Sequence, residues 1–244
     1  MNNVSIVIPA RFSSQRFPGK MIHPVLGKPL IVRVYENIYD PIFGEVLVLT
    51  DDKRIADILD SHQVNYLMTS AECKSGTDRI ASVIQKIKGD YIINVQGDEP
   101  LVTTEIIQEL AEALIRSGQP IATLARRESD QKKMTDPNIV KVVLDHLSNA
   151  LYFSRSLIPF PRESAKQWLA HVGIYGYTRK FLENFAQLAD SEIENVEKLE
   201  QLGFLFNGFK MHVKIGNYQL HGIDVAEDIP IVEKMLNSRQ GKKI

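Results

Sequence analysis

The sequence predicts an α/β architecture: a mainly parallel sheet, with a smaller antiparallel β subdomain inserted in its second half. Three observations carry this. Short β-branched runs alternate with helix-period patterns through the first half, the signature of parallel strands joined by crossover helices. The run Tyr91-Ile92-Ile93-Asn94-Val95 is nearly continuous in apolar character, as in a strand covered on both faces. Beyond it, Ser148-Asn149, Pro159 and Pro161 break the alternation.

Residues 4–9 open the series as a strand, and 29–39 follow as a helix. Strands at 45–50 and 65–68 flank a helix at 53–61. A helix over 76–87 leads to the strand at 91–95, a helix at 103–116 and a strand at 121–125. Residues 140–144 and 150–153 read as an antiparallel pair about the turn residues Ser148 and Asn149. The prolines and a polar stretch through Lys166 come next, then a strand at 172–177. Helices at 180–188 and 193–202, a strand at 211–215 and a helix over 225–236 complete the series, with a basic tail at 239–243 expected to fray. No internal repeat or low-complexity linker divides the chain. One domain is expected, its sheet drawn from about 1–130 and 205–244 and its insertion from about 131–204.

Charge narrows the function classes. Twenty-nine Lys and Arg stand against 30 Asp and Glu, a formal net charge of −1. No whole-molecule field then draws the chain to nucleic acid or to a membrane, so any site for a polyanion must be a local cluster. Cys73 is the only cysteine, which excludes an intrachain disulfide and a multi-cysteine metal site. The opening MNNVSIVIPA lacks the basic segment and apolar length of a signal peptide, and no run approaches the ~20 apolar residues of a membrane span. A cytoplasmic location is expected.

In parallel sheets, ligands gather at the carboxyl ends of the strands. That rule selects the loop after Pro9, Thr50-Asp51-Asp52, the segment after Met68, and Gly97-Asp98-Glu99-Pro100. The first loop, Pro9-Ala10-Arg11-Phe12-Ser13-Ser14-Gln15-Arg16-Phe17-Pro18-Gly19-Lys20, holds three cations and two hydroxyls. Guanidinium forks and a lysine ammonium suit the phosphates of a nucleoside triphosphate. The loop has neither the G-x-x-x-x-G-K-[ST] pattern nor a G-x-G-x-x-G fingerprint. At the end of the strand at 91–95, Asp98 and Glu99 offer the oxygen ligands that Mg²⁺ prefers, or simply a solvated turn. On residue chemistry alone, Ser75 with Asp78 is a helix cap, His171 a structural histidine, and Tyr175 and Tyr177 packing residues.

The strings P-A-R-x-x-S-x-R-x-P-G-K at 9–20, S-G-T-D-R at 75–79, Q-G-D-E-P at 96–100, H-V-G-I-Y-G-Y at 171–177, L-E-Q-L at 199–202 and G-I-D at 222–224 occur in family order. Together they resemble the 3-deoxy-manno-octulosonate cytidylyltransferases over nearly the whole chain. The resemblance implies a Rossmann-like sheet of the nucleotidyltransferase type, with the insertion serving the acceptor sugar and a homodimer contact. It implies that Arg11, Arg16 and Lys20 face the CTP phosphates with Ser14 nearby, and that Ser75 and Arg79 lie beside the pyrimidine. Asp98 and Asp224 would hold Mg²⁺, and Gln96 would approach the sugar or ribose. His171, Tyr175, Glu200 and Gln201 would meet the acceptor, an acidic eight-carbon sugar whose carboxylate Arg155 can pair with.

Several positions depart from the family pattern. Val225 and Ala226 replace Thr-Pro, Leu220-His221 replaces Gly-Thr, Asn195 replaces a His, and Gly203 replaces a frequent Arg. The changes at 195 and 203 fall around the acceptor residues, so both the parent octulosonate and its 8-amino analogue fit the reading. The implied reaction is attack of the anomeric hydroxyl on the α-phosphorus of CTP. Rival readings are a cytidylyltransferase for another ulosonic (sialic-type) acid, or a nucleotide-sugar sensor without catalysis.

Overall fold

A computed structural model describes residues 1–14, 16–163 and 167–240. The chain forms two compact units: Met1–Gln108 together with the chain from Gln219 onward, and Glu109–Tyr218.

The first unit is built on β1 (Val4–Ala10), whose seven residues are all buried. A small hairpin, β2 (Pro24–Val25) and β3 (Lys28–Pro29), precedes α1 (Leu30–Ile38). Then come β4 (Glu45–Thr50), α2 (Lys53–Ser61), β5 (Tyr66–Met68), α3 (Gly76–Ser82) and β6 (Tyr91–Asn94). The strands β6, β1, β4 and β5 lie side by side in that order, all parallel. The apolar runs of β6, β1 and β4 are buried on both faces, as the sequence predicts, while β5 at the edge is half-exposed.

Two features differ from expectation. The helix expected over 76–87 stops at Ser82, because Val83 leaves helical geometry (φ −122°, ψ 13°) before a 3₁₀ turn at Ile84–Lys86. Ser82 Oγ donates to Arg79 O at 2.8 Å, a local bond that competes with helix propagation. The β2–β3 hairpin was not expected. Its two-residue turn has Leu26 and Gly27 both left-handed (φ 48° and 77°), and Leu26 hides a signal that Asn or Asp would give there.

Helix α4 (Thr104–Ser117) carries the chain into the second unit. There follow β7 (Ile121–Glu128), α5 (Gln131–Met134), β8 (Lys141–Leu144), β9 (Ala150–Ser154) and β10 (Trp168–Thr178). After them come α6 (Arg179–Glu183), α7 (Glu192–Glu197), α8 (Glu200–Phe206) and β11 (Met211–Gly216). β7 pairs parallel with β11 and antiparallel with β10; β10 continues antiparallel to β8, and β8 to β9. The rings of Tyr177, Phe181 and Phe204 meet at 5.4–6.3 Å between centroids and fill its core.

The helix expected over 193–202 is two helices. Lys198 is left-handed (φ 53°) and Leu199 extended, so α8 starts afresh at Glu200. The helix expected over 180–188 likewise ends at Glu183 and gives way to a 3₁₀ turn at Phe185–Gln187. The strand expected at 172–177 begins four residues earlier, at Trp168, whose ring packs in a small core with Met134 and Ala170.

The chain closes the first unit with α9 (Asp228–Gln240). The N–H groups of Asp224 and Val225 donate to the Asp228 carboxylate at 2.8 and 3.0 Å, which holds 225–227 as a loop ahead of the helix. Arg239 is not frayed: its guanidinium donates to Leu101 O and Gln219 O, both at 2.6 Å. The rest of the expected tail, 241–243, lies outside the described residues. Among the described residues no helix is long and apolar enough to cross a membrane.

Candidate functional site

Beyond β1 the basic loop folds on its own backbone. The N–H groups of Ser14 and Gly19 both donate to Phe12 O, at 3.0 and 3.1 Å. The Phe12 ring lies under the Arg54 guanidinium at 3.2 Å. Gly19 is left-handed (φ 73°), and a Cβ there would sit 3.3 Å from the same ring. This turn sends Lys20 inward, with 8% of its side chain exposed.

Lys20 is the hub of the first unit's site. Its ammonium donates to Asp98 Oδ2 at 2.5 Å and to Ile223 O at 3.0 Å, and it stands 3.9 Å from Asp224 Oδ1. Arg16 donates to the same Asp224 oxygen at 2.8 Å. Two carboxylates 126 positions apart in the chain (224 less 98) therefore face one cation. Two glycines permit the approach. A Cβ on Gly97 would lie 3.0 Å from Pro9 O and from Met21 Sδ, and one on Gly222 would lie 2.8 Å from Glu99 Oε1. Ile223 N–H then donates to Asp98 O at 2.9 Å, joining the two segments. Arg11, Ser14, Lys20, Gln96 and Asp98 line a cleft of about 250 Å³ at these strand ends. Arg11 makes no ion pair among the described residues.

The nucleotide-side residues divide. Ser75 caps α3, accepting from Asp78 N–H at 3.0 Å, while Asp78 accepts from Lys74 N–H at 2.8 Å. Gly76 opens that helix with Gln96 Nε2 3.7 Å from where its Cβ would be. Arg79 is fully enclosed: it pairs with Asp51 at 2.7 Å and donates to Thr69 Oγ1 and to Ser70 O. Its charge is spent on joining the loops after β4 and β5, so it shapes that rim from inside rather than presenting a free guanidinium.

In the second unit His171, Tyr175 and Gln201 gather on one face of β10 and against α8. Tyr175 donates to Gln201 Oε1 at 3.1 Å, and both are buried. Burial, then the nearby negative charge of Glu200, pushes the Tyr175 phenol well above its usual pKa. His171 packs edge-on to Phe153 at 4.9 Å, lies 5.5 Å from the Tyr175 ring, and its Nε2 is 2.9 Å from Thr123 Oγ1. Burial pushes its pKa down to about 3, so the ring is neutral near pH 7. Arg155 is largely committed: Nε donates to Glu197 O at 2.8 Å and one terminal nitrogen to Pro137 O at 2.9 Å. That leaves the other terminal nitrogen for a ligand.

Comparison with known proteins bears on these two sets of residues. The family described as cytidylyltransferase matches residues 5–215. A 3-deoxy-manno-octulosonate cytidylyltransferase of Thermodesulfovibrio yellowstonii is 42% identical over 95% of this chain and 97% of its own. One from Francisella tularensis subsp. holarctica is 40% identical over 97% of this chain and all of its own. A solved CMP:2-keto-3-deoxy-manno-octonic acid synthetase complexed with CTP superposes with a TM-score of 0.92 at 37% identity, covering 97% of this chain and 99% of that one. The chain belongs to the 3-deoxy-manno-octulosonate cytidylyltransferase family. HddC from Yersinia pseudotuberculosis, at 14% identity and a TM-score of 0.69 over 95% of this chain and 99% of that one, shares the fold.

Four of the positions where this cytidylyltransferase departs from the family pattern, Gly203, His221, Val225 and Ala226, have a physical account; nothing in the structure explains Asn195 or Leu220. A Cβ on Gly203 would collide with the Glu194 carboxylate, so the glycine is what lets Glu194 lie against α8. Burial, then repulsion from Glu200 and Asp190, raises the Glu194 pKa. Val225 and Ala226 leave the Asp224 carboxylate in place because Asp228 fixes the backbone around it. Burial opposes the Asp228 charge, but hydrogen bonds from Val225 N–H, His221 and Asp224 N–H outweigh it and hold its pKa below the usual carboxylate range. His221, where the family has Thr, supplies one of those bonds at 2.9 Å.

Sequence reasoning missed Asp228, whose signal was an acid at a helix start four residues after a proposed ligand. It also missed Lys141, a fully buried lysine that donates to the carbonyls of Asp136 (3.0 Å), Ile139 (2.7 Å) and Arg155 (2.5 Å). No motif marks it; in the sequence it is one more cation in a strand.

Proposed function

We propose that the chain transfers CMP from CTP to the anomeric C2 hydroxyl of 3-deoxy-manno-octulosonate, or of a close analogue such as its 8-amino form. The hydroxyl oxygen bonds to the α-phosphorus, the bond from that phosphorus to the bridging oxygen breaks, and pyrophosphate leaves with the bridging electrons. The hydroxyl proton passes to solvent; no side chain is assigned as a dedicated base. The observation that carries this reading is the Lys20 ammonium held between Asp98 and Asp224 at the end of a cationic loop.

The same geometry supports a Mg²⁺ requirement. Among the described residues no group of three or more His, Cys, Asp or Glu is placed to hold a metal ion by itself. Two carboxylates already facing one cation suit an ion that keeps water and takes phosphate oxygens as its other ligands. Asp98 and Asp224 would hold it, and when bound it supplies charge neutralisation at phosphate and a lowered pKa for the attacking hydroxyl. Arg11, Arg16 and Lys20 stabilise charge on the leaving pyrophosphate, with Ser14 donating beside them. Ser75, Gln96 and, through the rim it braces, Arg79 serve the nucleotide. Arg155, His171, Tyr175, Glu200 and Gln201 serve the acceptor.

The reaction belongs in the cytoplasm, where CTP is made, and its product is an activated sugar for lipopolysaccharide synthesis. The second unit exposes Leu147, Leu151, Phe160 and Val196, each at least 60% accessible, which supports a homodimer through its antiparallel strands. Incubation with CTP, Mg²⁺ and a panel of ulosonic acids, with detection of CMP-sugar and pyrophosphate, tests the reading. Turnover with the octulosonate or its 8-amino analogue is expected. Turnover confined to nine-carbon sialic acids, or none with any acid, overturns it.

A further inference from the structure

The buried hydroxyl of Thr123 sits among three polar atoms. Ile174 O is 2.8 Å away, Val172 O 3.2 Å, and His171 Nε2 2.9 Å. The β7–β10 register explains the crowding. It shifts between Val172 and Tyr175, which sets Tyr175 opposite Thr123 and leaves the carbonyls of Val172 and Ile174 within reach of its side chain.

A hydroxyl has one proton to give. Carbonyl oxygens only accept, so that proton is directed at Ile174 O and Val172 O. The Thr123 oxygen then has lone pairs for His171 and no proton. The contact is a hydrogen bond only when Nε2 carries hydrogen and donates it. A neutral imidazole has one N–H, so Nδ1 is bare. The half-buried His171 ring gives Nδ1 no hydrogen-bond partner among the described residues.

We propose that Thr123 fixes His171 as the Nε2–H tautomer, so that Nδ1 presents a lone pair to a hydroxyl of the acceptor sugar. This rests on the reading that His171 meets the acceptor. The consequence is directional. A bare ring nitrogen attracts an O–H donor and repels a carboxylate, so His171 selects a hydroxylated stretch of the acceptor. Arg155, a donor only, takes its carboxylate. Thr123 is a positioning residue: it touches no substrate and acts through the ring.

The test uses the full chain labelled with ¹⁵N in histidine, with NMR correlations from the ring carbons to both nitrogens at pH 7. The free wild-type protein is expected to show His171 as Nε2–H with an unprotonated Nδ1. An Nδ1–H tautomer or an imidazolium there overturns the proposal, whatever any variant does. Thr123→Val should lose the fixed tautomer and raise KM for the acceptor about tenfold, the scale of one hydrogen bond, leaving KM for CTP unchanged. Thr123→Ser should restore both. If His171→Gln raises the acceptor KM while Thr123→Val keeps both tautomer and KM, Thr123 is not the device. If the tautomer is as stated but neither Thr123→Val nor His171→Gln moves the acceptor KM, the contact between His171 and the sugar is what fails.

Discussion

In the first unit the functional groups are full charges. Asp224 and Arg16 are more than half exposed, while Lys20 is drawn inside between two carboxylates and Arg79 is enclosed against Asp51. In the second unit three of the groups assigned to the acceptor are neutral, an uncharged His171, a Tyr175 phenol far from ionising and the Gln201 amide, set beside the Arg155 guanidinium and the Glu200 carboxylate. On the proposed assignment, the contrast follows from what each would hold. A triphosphate brings about four negative charges, and only opposite charge on a screened but open surface can bind and release it. The acceptor brings one carboxylate, which a guanidinium can take, and several hydroxyls, which dipoles of fixed direction can orient.

The sharpest way to break this contrast is to remove one charge from the first unit. Asp98→Asn keeps the side-chain shape but halves the carboxylate pair; pyrophosphate release should fall about 10²–10³-fold, with circular dichroism unchanged. Near-normal release would remove the metal role from Asp98. Lys20→Ala should lower kcat about 10–100-fold with little change in acceptor KM, since the leaving group loses its nearest compact cation. A rise in the KM for both substrates at constant kcat would contradict that assignment.

In the second unit the cost appears as stability. Tyr175→Phe strands the buried Gln201 oxygen and should lower unfolding free energy by about 1–3 kcal/mol in urea titrations, with CTP affinity intact. His171 adds an acid limb. Its pKa is near 3 when folded and about 6.5 unfolded, so below pH 6.5 the unfolded state binds the extra proton. Stability from the neutral ring is complete above about pH 6.5 and is lost as pH falls toward 3. His171→Gln should flatten that limb, compared by thermal unfolding at pH 4.5 and 7. The smallest effect is expected from Gly203→Ala. The Glu194 carboxylate can swing away, and alanine favours the helix by up to ~1 kcal/mol, so stability should change by less than about 1 kcal/mol while acceptor KM shifts.

The same contrast decides what could be read in the sequence. β1, β4 and β6 were legible because strands buried on both faces are written as unbroken apolar runs, and α2 because Asp52 caps it by side chain at 2.9 Å. The charged cluster was legible as well, because Lys20, Asp98 and Asp224 each stand in a distinctive string. The break at Lys198 was not, because a left-handed lysine has the same letter as a helical one. Arg79 and Arg155 could be singled out by their strings, yet how far each guanidinium is already engaged depends on carbonyls from Ser70, Pro137 and Glu197, which a residue pattern does not reveal. Thr123 was invisible for the same reason. Its role lies in two backbone oxygens exposed by a register shift on another strand.

The hairpin turn at Leu26–Gly27 lends its N–H to Glu233 of α9 at 2.7 Å, and Arg239 of the same helix grips Leu101 O. Helix α9 thus ties the hairpin and the Leu101 segment to a distant stretch of the chain. During synthesis Lys20 and Asp98 emerge well before Asp224, so the three-way contact among them cannot form until that later segment has followed.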